Sequence, residues 1–166
     1  MGPGSDWLTT LAGTGVPGLS SGGGRAVRTA LGDACEVAMD GSGNLLIADD
    51  DRVQVVAAST GTFYGKAMTA GNIYSVAGNG KRGFSGDGGP ATSTKLSLPQ
   101  GVAVDGAGNL VIADTRNNRV RVVAASSGTF YGQAMTAGDI YTAAGGGRRD
   151  LGDGGPATSA DLHWPE

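Results

Sequence analysis

Apolar residues occur along this chain in short runs that are separated by glycine-rich polar stretches. In GVAVDGAGNLVIADT, residues 101–115, two apolar runs flank Asp105-Gly106, a composition that allows the positive φ angles of a tight hairpin. A valine-rich run follows at residues 119–126, and a fourth run lies at residues 139–145. The pattern predicts four short β-strands, of which the first two form a hairpin.

The predicted strands have no strictly polar face. In the run from Leu110 to Ala113, apolar residues follow one another without alternating with polar ones, which is typical of a sheet that is covered on both faces. Propeller blades meet this condition, because each small sheet is packed between two neighbours. The pattern therefore predicts an all-β fold built of four-stranded propeller blades.

The four-strand unit occurs twice. The segment VAMDGSGNLLIADD, residues 37–50, returns as VAVDGAGNLVIADT at residues 102–115. The segment STGTFYGKAMTAGNIYSVAG, residues 59–78, returns as SSGTFYGQAMTAGDIYTAAG at residues 126–145. The second unit has two more residues in the turn between its second and third strands, and internal repetition of this kind is the signature of a repeat architecture.

Partial copies flank the two units. The loop GDGGPATSTKLSLPQ, residues 86–100, recurs at residues 152–166 and in degenerate form at residues 18–34, while WLTTLAG, residues 7–13, resembles a fourth strand. We divide the chain into residues 1–5, an expression-vector remnant; 6–34, a lone strand and connector loop; 35–78, blade 1; 79–99, a connector; 100–145, blade 2; and 146–166, a connector to a next blade.

The segment PQGVAVDGAGNLVIADTRNNRVRVV, residues 99–123, resembles the NHL repeat, a family of propeller blades. The chain departs from that pattern at residues 124–139, AASSGTFYGQAMTAGD, which we interpret as an extended hairpin between the third and fourth strands. Such hairpins, together with GFSGDGGPATS loops, are similar to those of bacterial, especially actinobacterial, NHL proteins. The resemblance implies NHL-type blades that form an incomplete propeller unless the chain oligomerises.

Composition and charge narrow the function classes. The net charge is −3, with 15 acidic residues against 12 Lys and Arg, which disfavours nucleic-acid binding. The one cysteine rules out an intrachain disulfide and a multi-thiolate zinc site. No apolar run is long enough to cross a membrane, and for the compartment we favour an extracellular or cell-surface location in a bacterium.

The Gly-Asp-Gly-Gly loops raise the question of a calcium site. Asp87 and Asp153 each lie between glycines, but each loop offers a single carboxylate, whereas Ca²⁺ takes six or more oxygen ligands. We therefore interpret the loops as connectors in which glycines supply positive φ angles and Pro90 and Pro156 start a short helical turn. On this interpretation no cofactor is required, and calcium stays the alternative.

Two acid and arginine pairs flank the turns between the second and third strands. Asp49 with Arg52, and Asp114 with Arg119, recur in both repeats, so we expect each pair to brace its own blade through a charge-assisted hydrogen bond. The NHL resemblance implies the same structural role. Catalytic residues, in contrast, usually break the symmetry of a repeat.

The single histidine and single cysteine offer no catalytic set. His163 replaces Ser97 of the preceding loop and is expected at the surface, and Cys35 corresponds to Gln100 and is expected to be a small buried residue. The predicted hairpins are more informative, since each carries an aromatic pair. Their rings either cap the outer edge strand or contact a partner. The pairs are Phe63 with Tyr64 and Phe130 with Tyr131.

These observations favour a non-catalytic interaction or scaffold module for a protein or small ligand, either homo-oligomeric or part of a larger bacterial propeller. Two blades leave two apolar faces exposed, which head-to-tail copies would cover. The alternative is part of a six-bladed lyase or lactone hydrolase with a central metal, as some relatives of NHL proteins imply. RNA binding, known for some animal NHL proteins, fits the acidic charge least well.

Overall fold

The computed structural model describes residues 8–20, 22–147 and 153–166. These residues form an all-β structure with four antiparallel sheets and short 3₁₀ turns, and no α-helix occurs among them. None of their helical segments has the length and apolar content that crossing a membrane requires.

Blade 1 is a four-stranded antiparallel meander. Its strands are β1 (Ala34–Met39), β2 (Leu45–Asp49), β3 (Arg52–Val56) and β6 (Ile73–Ala77). Between β3 and β6 the chain forms a separate hairpin, hairpin 1, from β4 (Gly61–Phe63) and β5 (Lys66–Met68). The predicted extended hairpin is therefore present.

Blade 2 repeats this arrangement with one added pairing. The residue pair β7 (Gly89–Pro90) lies beside the last strand and extends the sheet to five members. The other strands are β8 (Gly101–Val104), β9 (Leu110–Asp114), β10 (Arg119–Val123) and β13 (Asp139–Gly145), and hairpin 2 consists of β11 (Gly128–Phe130) and β12 (Gln133–Met135).

The turn between the first two strands differs in detail from the prediction. In blade 2 the carboxylate of Asp105 accepts hydrogen bonds from the amides of Ala107 and Asn109, and the positive φ of 84° lies at Gly108 rather than at Gly106. Asp40 organises the matching turn of blade 1 in the same way. The aspartate thus closes a longer loop, and the glycine with positive φ lies two residues later than the Asp-Gly pair suggested.

Residues 8–13 were predicted as part of a lone strand, and this was wrong, because they form no strand. They have no third strand of their own to pair with. The segment nevertheless lies where the fourth strand of a preceding blade would pack against blade 1, since the Gly13 amide donates to the Ala26 carbonyl at 3.0 Å as the Gly78 amide, after β6, donates to that of Ala91. Trp7 lies outside the described residues.

The main hydrophobic core lies between the two blades. Blade 1 contributes one face of its sheet, including Leu46, Val53 and Val55, and blade 2 contributes the opposite face, including Leu110 and Ile112. Two smaller clusters lie on the outer faces of the pair. Both faces of each sheet are therefore apolar, as the non-alternating strands predicted.

Candidate interaction face

Each turn between the second and third strands carries a fully buried carboxylate. Asp49 accepts a hydrogen bond from the Gly32 amide at 2.7 Å, and its other oxygen accepts one from Arg52 at 3.2 Å. In blade 2, Asp114 accepts from the Ser97 amide at 2.8 Å. Each carboxylate therefore ties the preceding connector to its own blade.

Burial raises the pKa of both Asp49 and Asp114 above its ordinary value. The hydrogen bonds that each carboxylate accepts, and its nearby arginine, act in the opposite direction without cancelling the effect of burial. Both carboxylates are buried, and their oxygens accept hydrogen bonds from donors within the chain. This arrangement fits a structural role in holding the connector to the blade.

The prediction that Asp114 pairs with Arg119 was wrong, because Asp114 has other partners. Asp114 instead accepts from the side-chain amide Nδ2 of Asn117 at 2.8 Å and from the Arg121 guanidinium at 3.5 Å. The longer turn of blade 2 places Asn117 against the carboxylate oxygen that Arg52 contacts in blade 1. Arg119 donates to the Asn117 carbonyl and stacks on Phe84, with its guanidinium carbon 3.9 Å from the ring centroid.

The Gly-Asp-Gly-Gly loop before blade 2 clasps the sheet. One oxygen of Asp87 accepts from the buried Arg121 at 2.8 Å, and the other accepts from the Thr142 hydroxyl at 2.7 Å. Gly86 and Gly88 have φ of 86° and 75°, as the connector interpretation requires. A guanidinium thus stands where the calcium alternative would need a cation, while Asp153 of the third loop is exposed.

Blade 1 has no such ionic clasp. The positions that match Asp87, Arg121 and Thr142 carry uncharged residues. The matching backbone bond is present, since the Gly23 amide donates to the Ile73 carbonyl as that of Gly88 donates to Ile140. The carboxylate and the guanidinium therefore occur together in blade 2 and are both absent from the matching positions of blade 1, as expected of two groups that act as a pair. The uncharged counterparts are Gly22, Gln54 and Ser75.

The tyrosines of the two hairpins bind the aspartates of the first turns. The Tyr64 hydroxyl donates to Asp40 at 3.0 Å, and the Tyr131 hydroxyl donates to Asp105 at 2.8 Å. Tyr64 is partly covered by blade 2, whereas the side chain of Tyr131 is 52% exposed. Burial, followed by the neighbouring carboxylate, raises the pKa of both tyrosines.

A second exposed cluster surrounds the turn Thr115–Asn118 of blade 2, and we call it the loop face. Phe84 is 43% exposed and Trp164 is 49% exposed. Arg119 covers the Phe84 ring, and Arg116 lies 5.8 Å from the centroid of the Trp164 ring. The Trp164 amide donates to the Asn118 side chain at 3.1 Å, which fixes the tryptophan beside the turn. The loop face consists of Phe84, Arg116, Arg119 and Trp164.

The loop face breaks the symmetry of the repeat. Leu19 stands in blade 1 where blade 2 has Phe84, and Leu98 stands where blade 2 has Trp164. The shorter turn of blade 1 has no residue that matches Arg116. The sequence predictions did not include Phe84, Arg116 or Trp164, and assigned Arg119 only to Asp114, although the differences between the aligned repeats are the signal that would have found this face.

The two remaining candidate residues, His163 and Cys35, lie in different parts of the chain. His163 is exposed in the third connector, beside Trp164. Cys35 is exposed rather than buried, because β1 is the edge strand of blade 1, and its pKa is raised by partial burial and by Asp33. Within the described ranges, no group of three or more His, Cys, Asp or Glu side chains could hold a metal ion.

Comparison with known protein families identifies one repeat of the chain. The model of the NHL repeat matches residues 96–123. Curated proteins gave no match to the chain. Among solved structures, an auxiliary nutrient binding protein from Bacteroides thetaiotaomicron is similar, with a TM-score of 0.44 and 16% identity over 67% of this chain.

The chain spans only 25% of the length of that Bacteroides protein. The matched NHL segment begins at Leu96, at the end of the second connector, and ends at Val123, where β10 ends. It therefore comprises the first three strands of blade 2 and the turn that carries the loop face. The protein contains an NHL repeat within an all-β fold of two blades, and the described residues do not form a closed propeller.

Proposed function

We propose that the chain is a non-catalytic interaction module and that the loop face of blade 2 is its contact surface for a protein partner. The observation that carries this proposal is that two exposed aromatic rings pair with two arginines beside a single turn, in one blade only. Arginine and the large aromatic residues supply most of the binding energy in protein interfaces. The face thus has the composition of an interface centre.

The geometry of the face also favours binding, because its side chains are held before a partner arrives. Arg119 is fixed over Phe84 and by the carbonyl of Asn117, and the Asn118 side chain anchors Trp164. Ordering these groups in a complex would cost less entropy than ordering free side chains. Among the described residues, neither Arg116 nor Arg119 forms a salt bridge, so both can pair with acidic groups of a partner.

The acidic groups of the turns and of the second connector support the same proposal. Asp49, Asp87 and Asp114 direct their oxygens to donors within the chain and tie loops to sheets. These contacts recur from blade to blade or, for Asp87, accompany a matching arginine. Their chemistry is therefore used to build the blades, and recognition falls to the exposed residues that differ between them.

The test is quantitative affinity capture with four forms of the chain. Proteins retained from a lysate of the encoding cell would be compared by mass spectrometry for the wild type, Phe84→Ala and Trp164→Ala. Leu19→Ala is the matched control, because Leu19 is the exposed counterpart of Phe84 in blade 1. We expect both aromatic variants to lose a specific partner by on the order of tenfold or more, and the control to retain it. Equal retention by all forms would refute the proposal.

A further inference from the structure

The interface between the two blades has a donor side and an acceptor side. Blade 1 donates the face of its sheet that includes Leu46, Val53 and Val76, all of which are buried. Blade 2 accepts it with its opposite face, which includes Val102 and Val123. The contact is heterologous, because two different surfaces of the repeat meet.

Both surfaces occur a second time, at the two outer ends of the pair. On the outer face of blade 1, Val37 is 59% exposed, whereas its counterpart Val102, inside the interface, is 5% exposed. On the outer face of blade 2, Val111 and Val120 are half-buried, whereas their counterparts in blade 1 are completely buried. The chain therefore carries a second acceptor face and a second donor face of a contact that it already makes internally. Each is only partly covered by the chain itself, the acceptor face by Ala12, Ala26 and Leu31 and the edge of the donor face by Leu162 against Gly145.

The hairpin tips show the same relation in detail. Phe63 and Tyr64, at the tip of hairpin 1, lie against blade 2 and line a groove with its residues Val104, Gly108 and Ala125. The next residue, Gly65, approaches the backbone of Gly138. The tip of hairpin 1 is therefore part of the interface between the blades.

Blade 1 has the matching groove, and it is open. Its volume is about 360 Å³. The lining includes Gly43, Ala58 and Gly71, which are the counterparts of Gly108, Ala125 and Gly138 beside the tip of hairpin 1. Hairpin 2 ends in the same Phe-Tyr-Gly sequence as hairpin 1, and Tyr131 at its tip is exposed.

We propose that two copies of this chain associate head to tail, with the tip of hairpin 2 of one copy bound in the blade 1 groove of the next. The donor face of blade 2 would then cover the free acceptor face of blade 1, as blade 1 covers blade 2 within one chain. A contact of this type continues from copy to copy, and it closes into a ring where the rotation allows it. The Phe-Tyr tip of hairpin 1 would thus contact blade 2 within one chain, and the Phe-Tyr tip of hairpin 2 would contact blade 1 of the next copy.

Residues 8–13 compete for part of this surface. They lie where the β13 strand of an incoming copy would pack, as the bond from Gly13 to Ala26 shows. Ala12 packs on the blade 1 face, but Leu11 is exposed. The segment is thus held by few contacts, and association replaces it with a complete blade.

The proposal is tested by light scattering coupled to size exclusion, over a dilution series of the full chain. The acceptor variant is Ala58→Arg, which fills the groove from an exposed position, and its control is Ser59→Arg, which adds the same charge beside it. The donor variant is Tyr131→Ala, and its control is Thr129→Ala on the same hairpin. Circular dichroism establishes that each variant is folded.

We expect the wild type and both controls to exceed the mass of one chain at high concentration and to dissociate on dilution. Ala58→Arg and Tyr131→Ala should each be monomeric. An equimolar mixture of the two should form a dimer with one copy of each, because one retains the tip and the other retains the groove. A wild type that is monomeric at every concentration, or a mixture that fails to associate, would overturn the proposal.

Discussion

At the scale of single residues, the chain uses one buried arginine in blade 2 to hold two acidic groups. Arg121 contacts Asp87 from the connector and Asp114 from the end of β9, and its side chain is completely buried. A buried guanidinium is costly to desolvate and becomes favourable only through its partners. Removing Arg121 therefore leaves Asp114 buried without its charged partner, whereas Asp87, whose side chain is 44% exposed, can be solvated by water.

We predict that Arg121→Gln, which installs the residue found in blade 1, lowers the free energy of unfolding by about 3 kcal/mol. Asp87→Ala should cost only about 1 kcal/mol, because the carboxylate is partly exposed and water can replace it. Urea denaturation followed by circular dichroism measures both. Arg116→Gln is the control, since that arginine is exposed and should be nearly neutral; equal losses for Arg121 and Arg116 would contradict the role assigned to the clasp.

The turn aspartate of blade 2 offers a prediction about protonation. Burial disfavours the charge of Asp105, but the hydrogen bonds from Asn109 and Tyr131, with two backbone amides, outweigh it and lower the pKa of Asp105. A lowered pKa in the folded state contributes stability at neutral pH, and this contribution is lost as pH falls through the folded pKa.

We predict that Tyr131→Phe raises the pKa of Asp105, because one hydrogen bond to the ionised form is removed. The stability that the ionised Asp105 contributes should then be smaller, and its loss on acidification should be complete at a higher pH than in the wild type. An NMR titration of the Asp105 carboxyl carbon measures the change. Thr129→Ala, on the same hairpin, should leave the titration unaltered, and an unchanged Asp105 pKa in Tyr131→Phe would refute the prediction.

At the scale of elements, the third and fourth strands of both blades pair with a register shift at the same place. The irregularity lies between Val53 and Gln54 in blade 1 and between Val120 and Arg121 in blade 2. Gly78 and Gly145 follow it, with φ of 80° and 85°. A Cβ at Gly145 would meet the Asn118 carbonyl oxygen, so this glycine permits the close approach of the turn.

We predict that Gly145→Ala destabilises the chain by about 3 kcal/mol, since it adds a steric clash to the cost of a positive φ. Gly138→Ala is the control, because Gly138 has a φ of 81° with open space around it. That control should cost about 1 kcal/mol from backbone strain alone. Thermal unfolding of both variants measures the difference, and equal melting temperatures would show that the close approach at Gly145 is not important.

Most elements follow from local sequence. The run from Leu110 to Ala113 predicts a strand with two covered faces, and in the structure Ile112 faces blade 1 while Val111 belongs to the outer cluster. The hairpins were predicted from the sequence between the third and fourth strands. Such features depend on neighbouring residues, so the pattern of apolar positions is sufficient to identify them.

The pairings that were missed depend on distant residues. Arg121 lies between valines in β10, and its partner Asp87 belongs to a connector 34 residues away in the sequence. Nothing in the local pattern distinguishes it from Arg119, which was assigned to Asp114 instead. The loop face has the same origin, because Phe84 and Trp164 come from two different connectors that meet only at one turn. Repeat alignment predicts the blades but not the contacts that differ between them.

At the scale of the whole molecule, the two outer faces are not equally covered. The outer face of blade 1 holds residues 8–13, through Ala12 and the bond from Gly13, while the outer face of blade 2 carries Val111, Val120 and the tip of hairpin 2. If copies associate head to tail, residues 8–13 act as a competitor for the acceptor face. Weakening that segment should therefore strengthen association rather than weaken it.

We predict that Ala12→Asp, which places a charge against the apolar face of blade 1, releases the segment and lowers the dissociation constant of self-association about tenfold, or about 1.4 kcal/mol. This gain corresponds to one or two weak contacts, such as the bond from Gly13 to Ala26. Sedimentation equilibrium measures the constant, with Thr14→Asp as the control because Thr14 is exposed. A larger constant for Ala12→Asp would show that residues 8–13 assist the contact between copies, and an equal constant would show that they do not compete for it.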